Sequence, residues 1–188
     1  MPIDTLKMNT GVRSKLTLYG GRVDVSAREA VAVVSAIFRA IGCSDDTAHT
    51  VAEHLADTSL CGMESHGLMR TLQYAEQFRN GYMKADAESR VITTPRGIVE
   101  VSGGGGIGIP AMSLAYATGM NMARESGISA LAIRHVGHTG RHGAFADEAA
   151  AKGFLTFCMG GGNRQNWRQV APHGGARGML PTNPWCVG

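Results

Sequence analysis

The chain has 188 residues, 44% of them hydrophobic, with 18 Lys and Arg against 15 Asp and Glu for a net charge of +3, which suits one domain of ordinary size with a real core. The cations form no basic stripe interleaved with aromatics, which argues against nucleic acid, and no apolar run approaches a membrane-spanning length. Cys43, Cys61, Cys158 and Cys186 are scattered without a Cys-x-x-Cys, so the expectation is four reduced, buried thiols and no disulfide framework.

Residues 1–24 read as a leader; 7–22 is mildly basic but lacks the continuous apolar region of a signal peptide, and a cytoplasmic location is expected. Ser26 and Glu29 form a capping box ahead of Ala30, Val33, Val34, Ile37, Phe38 and Ile41 at helical spacing, with Gly42 as the stop. A second helix is predicted from Asp45 or Asp46 to Leu60. A third is predicted over 67–79, presenting Leu68, Leu72, Ala75 and Phe78 before Gly81. From Arg96 the pattern changes to a strand at 97–102, a glycine loop, a helix near 111–125, a strand at 128–134, a helix at 141–152 and a strand at 154–159. The division is a helical segment at 25–90 followed by an α/β region at 91–188.

Chemistry concentrates in two places. In Met-Glu-Ser-His-Gly-Leu-Met-Arg at 63–70, Ser65 is expected to cap the third helix and Gly67 to let the backbone approach a ligand. Arg70, a helical turn past His66, is expected on the same face, setting an anion clamp beside a proton-transfer group. A lone Ser-His-Gly is more often a cap beside a surface histidine, so the segment needs company. It has it at 134–143, where His135, His138 and His142 follow the apolar run 128–133, at the strand end where α/β proteins keep their chemistry. Those three histidines could be read as zinc ligands of a metal-dependent hydrolase, but a strand-to-loop turn would aim His135 and His138 apart and no Cys or carboxylate completes the set. Gly103, Gly105 and Gly108 match a dinucleotide fingerprint only weakly. Four consecutive glycines match easily, Pro110 delays the helix, and no acidic residue ends the next strand. A tight strand-to-helix connection is the simpler reading. Three Gly/Pro/Asn-rich loops follow at 159–163, 171–175 and 180–184.

In order and spacing, Ala56-Asp57, Ser65-His66-Gly67, Arg79-Asn80-Gly81, the glycines of 103–108, His138-Thr139-Gly140, Ala171 to Gly175 and Thr182-Asn183-Pro184 resemble the malate/L-lactate dehydrogenase family, which includes L-sulfolactate, ureidoglycolate and diketogulonate dehydrogenases and cyclic-imine reductases. The resemblance covers nearly all of 25–188. It departs at Gly137-His138-Thr139-Gly140, where the family reads Asn-His-Phe-Gly, and at an enlarged loop, 163–169. It implies a non-Rossmann α/β fold of the L-sulfolactate dehydrogenase type, with a helical N-terminal segment before a mixed α/β nicotinamide-binding domain. It also implies a homodimer, and a chain longer than this one, so the sequence reads as an incomplete N-terminal portion. The implied activity is hydride transfer between NAD or NADP and a small 2-hydroxy or 2-keto acid, without metal.

By the same resemblance His66 and His138 are the catalytic candidates. His66 is favoured as acid/base and His138 as the group polarising the carbonyl, with exchanged roles left open. Ser65, Arg70 and Tyr74 are substrate-binding candidates, Arg70 as a bidentate carboxylate clamp. For the cofactor the candidates are Gly160, Gly161, Gly162, Pro172, Gly174, Thr182 and Asn183, whose loops offer main-chain groups. Arg164 and Arg168 would favour NADP if they reach a phosphate, and Trp167 is a candidate lid. The remaining alternative is a non-catalytic truncated chain with an unpaired sheet edge.

Overall fold

The structure, a computed structural model, describes residues 23–162 and 168–188. The expectations for the leader, Arg164 and Trp167 therefore lie outside the described residues. Helix α1 spans Ala27–Ile41, and its capping box forms as the sequence requires: Glu29 N–H donates to Ser26 Oγ, and Ser26 N–H to Glu29 Oε2. Helix α2, Asp45–Leu60, is capped by Ser44, which accepts from Thr47 N–H. Val34 and Phe38 of α1 pack with Val51, Ala52 and Leu55 of α2, whereas Val33 faces out.

The third helix departs from expectation. Residues Glu64–His66 form a single 3₁₀ turn, the chain breaks at Gly67, and helix α3 runs only over Arg70–Arg79, with no side-chain cap. Ser65 therefore caps nothing. The cause lies in α2: Leu68 N–H donates to Ser59 Oγ at 2.9 Å, and a Cβ on Gly67 would stand 2.1 Å from that oxygen. The close approach that Gly67 permits is to Ser59, which pins the chain before α3 can start.

Two small sheets carry the rest. Strands β1 (Arg90–Thr93), β2 (Val99–Gly106) and β3 (Ala132–Val136) form one sheet in that order, β1–β2 antiparallel and β2–β3 parallel, with a register shift between Ser102 and Gly106. Strands β4 (Phe157–Met159) and β5 (Trp185–Val187) pair antiparallel. Helix α4, Gly108–Ser126, crosses from β2 to β3, and helix α5, His142–Ala151, leads to β4. The glycines expected as a loop at 103–106 are thus the end of β2. They pack closely: a Cβ on Gly103 would meet Val136 Cγ1 at 2.5 Å, and one on Gly106 would meet the Ala87 Cβ at 2.7 Å. Pro110 does not delay α4 but sits in its first turn, where no intrahelical N–H bond is needed. The strand expected at 128–134 starts later, because Ile128 projects into solvent (82% exposed) and Ser129 is tied back to α4 through Gly119 O. β1 was not anticipated; all four of its residues are exposed, so no alternation marks it.

One core cluster joins the helical segment to the α/β part: Phe38, Leu55, Tyr74 and Phe78 pack with Met83, Ile109, Met112 and Phe145. Only Cys43 is a buried thiol; Cys158 and Cys186 are partly covered and Cys61 is exposed, a correction to the expected four, and none is bridged. No helix among the described residues is long and apolar enough to cross a membrane.

The loop between β3 and α5 is set down tightly on both sides. Gly108 N–H donates to His138 O and Gly137 N–H to Gly106 O, while Gly140, at φ +73°, brings its Cα so near α2 that a Cβ would stand 2.2 Å from His54 Nε2. Gly153 also has positive φ, +81°, but open space around it. Gly153→Ala should therefore show only the left-handed penalty, about 1 kcal/mol. Gly140→Ala should cost clearly more, because the loop or His54 must also move; urea denaturation of the two variants checks the difference.

Candidate active site

The site is assembled from three elements: the 3₁₀ turn, α3, and the loop after β3. His66 and His138 lie with ring centroids 5.3 Å apart, and the Tyr74 ring is 5.8 Å from His138. Tyr74 is wholly buried, and its hydroxyl is 2.7 Å from His138 Nδ1. Gly140 N–H donates to the same Nδ1 at 3.1 Å. An amide N–H can only donate, so Nδ1 is an acceptor and the ring proton resides on Nε2. Burial first, then the Arg70 charge and the neighbouring imidazoles, push the His138 pKa down to about 3, and the ring stays neutral. Burial also raises the Tyr74 phenol, which keeps its proton.

His66 is half-buried, its Nδ1 3.0 Å from Ser65 Oγ, and its pKa is lowered by burial and then by Arg70 and His142. The Arg70 Nε donates to Ser65 O and its Nη1 to Gln73 Oε1. These bonds use two of the five guanidinium donors and fix its plane. Arg70 meets His66 because the guanidinium reaches back across the break at Gly67, not because one helix face carries both.

Of the cofactor candidates, Gly160 and Asn183 line one open depression with Phe157, Met159, Pro184 and Trp185, and Gly160 N–H donates to Pro184 O. Gly161, Gly162 and Thr182 are exposed nearby in the chain; Pro172 and Gly174 lie in a separate exposed turn closed by Gly175 N–H to Pro172 O. His142 connects this region to the histidine pair. Its Nε2 is 2.9 Å from Thr139 Oγ1, its Nδ1 3.7 Å from Cys158 Sγ, and its Cε1 would be 3.3 Å from a Cβ on Gly160.

The zinc reading finds no support. His135 is exposed at φ +54° with its Nδ1 3.5 Å from Ser102 Oγ, while His138 and His142 are turned to Tyr74 and Thr139. No three His, Cys, Asp or Glu side chains converge as a metal site among the described residues.

His54 is the residue the sequence reading missed. It lies on the buried side of α2, stacked on Phe145 with centroids 5.0 Å apart, and its Nε2 accepts from Arg141 N–H at 2.9 Å. The signal was present: Val51, Leu55 and Thr58 share its helix face, and a histidine among them must find a partner. Arg141 spans the same place, ion-paired to Asp57 at 2.8 Å and to Asp147 at 3.2 Å.

Comparison with known proteins places the chain. The family model described as malate/L-lactate dehydrogenase matches residues 25–188. The chain is 32% identical over 160 residues to the (2R)-3-sulfolactate dehydrogenase (NADP(+)) of Chromohalobacter salexigens, covering 85% of this chain and 46% of that protein. It is 30% identical over 154 residues to hydroxycarboxylate dehydrogenase B of Escherichia coli K12, covering 82% and 42%. Its fold matches the malate dehydrogenase structure from Pyrococcus horikoshii OT3 with a TM-score of 0.77 at 26% identity, over 89% of this chain and 49% of that one. The chain thus spans a little under half the length of these relatives. A match over this span, with the fold to accompany it, makes the chain a member of the malate/L-lactate dehydrogenase family.

Proposed function

We propose that the protein is an oxidoreductase that moves a hydride between a nicotinamide cofactor, NAD or NADP, and a small 2-hydroxy or 2-keto acid. The observation that carries the reading is His138, a neutral ring whose Nδ1 is occupied by Gly140 N–H and the Tyr74 hydroxyl, set against His66 and the Arg70 charge. Nε2–H of His138 donates to the substrate oxygen without surrendering its proton. His66, half-buried and bonded at Nδ1 to the Ser65 hydroxyl, exchanges the hydroxyl proton. Arg70 holds the carboxylate, and Ser65 orients His66 through Nδ1. Tyr74, a candidate for touching substrate directly, serves through its bond to His138.

The depression at Gly160 and Asn183 suits a nicotinamide ring, since its lining is apolar and aromatic and Asn183 offers a carboxamide, and among the described residues no cation lines it for the phosphates. Gly160, Gly161, Gly162, Pro172, Gly174, Thr182 and Asn183 would hold the cofactor, which would supply or accept the hydride at the substrate carbon. The relatives named for hydroxycarboxylates, sulfolactate and malate support the acid class. A cytoplasmic homodimer belongs to the same proposal; sedimentation of the complete protein as a monomer would overturn the dimer.

The direct test follows NADH and NADPH oxidation by the complete protein with a panel of 2-keto acids and cyclic imino acids. Turnover with at least one is expected, and none with a folded protein sinks the reading. His66→Ala should lower kcat with binding largely kept, whereas Arg70→Ala should mainly raise KM for the acid. Equal, mild effects would remove both assignments. The pH profile carries a sign. Reduction needs His66 protonated and oxidation needs it neutral, so around a midpoint below its ordinary 6.5 reduction should gain, and oxidation fade, as pH falls. kcat/KM against pH in both directions, repeated on His66→Gln, checks it: the variant should lose the inflection.

A further inference from the structure

His54 lies outside every role assigned above, yet it is bonded to the backbone beside His138. Gly140 N–H donates to His138 Nδ1, and the very next amide, Arg141 N–H, donates to His54 Nε2. Two successive amides of one left-handed turn, at φ +73°, are thus each held by a different imidazole. We propose that His54 is a positioning residue: by accepting the Arg141 N–H it fixes the Gly140 turn, which in turn fixes the tautomer and aim of His138.

The argument rests on donor and acceptor types. A phenol hydroxyl can donate to His138 Nδ1 or accept from it, so Tyr74 is indifferent to which ring nitrogen carries the proton. Gly140 N–H is not, because it can only donate. Whichever group holds that amide in place therefore keeps Nδ1 bare and puts the proton on Nε2. Were the turn released, Nδ1–H could donate to the Tyr74 oxygen, Nε2 would become an acceptor, and the polarity presented to a carbonyl oxygen would be reversed.

The surroundings of His54 suit a ring that must stay neutral and still. It is stacked on Phe145 and crowded by the bare Cα of Gly140, where a Cβ would stand 2.2 Å from Nε2. The charged and titratable groups facing it are Arg141, Asp57, His142 and His66; Asp57 alone favours the imidazolium, and Asp57 is ion-paired to Arg141. A proton on Nε2 would also face the Arg141 N–H donor head-on. An apolar side chain of similar size would fill the space but leave that amide without an acceptor, at the cost of a buried unsatisfied donor.

The proposal rests on the reading that His138 meets the substrate, but its test does not depend on turnover. In the complete protein labelled with ¹⁵N-histidine, the His138 ring should show a bare, acceptor-type Nδ1 and a protonated Nε2. His54→Leu should mix the two tautomers and lower kcat by on the order of a hundredfold with KM for the acid much less changed. His54→Gln, whose carboxamide oxygen can accept the Arg141 N–H, should restore both the nitrogen signals and most of kcat. An unchanged His138 tautomer in His54→Leu overturns the proposal. If that variant does not fold, amide exchange in the native protein decides: strong protection at Arg141 is expected, and exchange at the rate of an open loop overturns it. Failure to turn over any keto acid would count against the dehydrogenase reading, while the nitrogen signals would still decide the role of His54.

Discussion

Nδ1 of His138 is an acceptor, and much of the site's arrangement follows from that one constraint. The nitrogen is reached by the Tyr74 hydroxyl from the helical segment and by Gly140 N–H from its own loop, so the ring bridges two parts of the chain that are 64 residues apart. Any charge on the ring would set N–H against N–H. Burial and the Arg70 guanidinium oppose that charge as well, which is why geometry and electrostatics agree on a neutral imidazole. His66 carries no such pair of donors at Nδ1, which is 3.0 Å from the Ser65 hydroxyl, and burial, Arg70 and His142 lower its pKa.

Around this point the fold works mainly by close approach. Gly67 is pressed on Ser59, Gly140 on His54, Gly137 against Met83, and Gly103 against Val136, each with less room than a methyl group needs. A small sheet of short strands would not by itself hold a histidine loop in register, and the helices supply what the sheet lacks. Phe38, Leu55, Tyr74 and Phe78 extend the same apolar cluster under the loop that Met112 and Phe145 extend from the other side. The histidine pair joins that cluster through Tyr74, and both rings are only partly buried.

Much of this was readable from residue order. The capping box at Ser26 and the face of Val34 and Phe38 depend on local periodicity and appear where it puts them, and the strand-helix alternation after residue 96 appears in the expected order with shifted boundaries. The histidine pair was readable through the resemblance of Ser65-His66-Gly67 and His138-Thr139-Gly140 to a family pattern. What was not readable depends on contacts between distant segments. Ser59 interrupts the third helix from nine residues away, β1 has no buried face to give it a pattern, and Ile128 is apolar yet exposed. The buried face of α2 marked His54 as a histidine in need of a partner, but which partner appears only when Arg141 is brought to it across 87 residues.

The glycines at the β2–α4 junction look like a place to seat a phosphate, but the structure gives them another occupant. Gly108, the first residue of α4, donates its N–H to the carbonyl of His138 at 2.9 Å, and Gly108 itself is so near the carbonyls of Gly137 and His138 that no Cβ fits. The positive end of a 19-residue helix macrodipole is therefore turned on the peptide of His138. That end of the helix thus meets a peptide carbonyl instead of an anion, and α4 holds the residue that carries the ring. A glycine-rich strand-to-helix turn can thus seat a histidine loop from behind through backbone contacts alone.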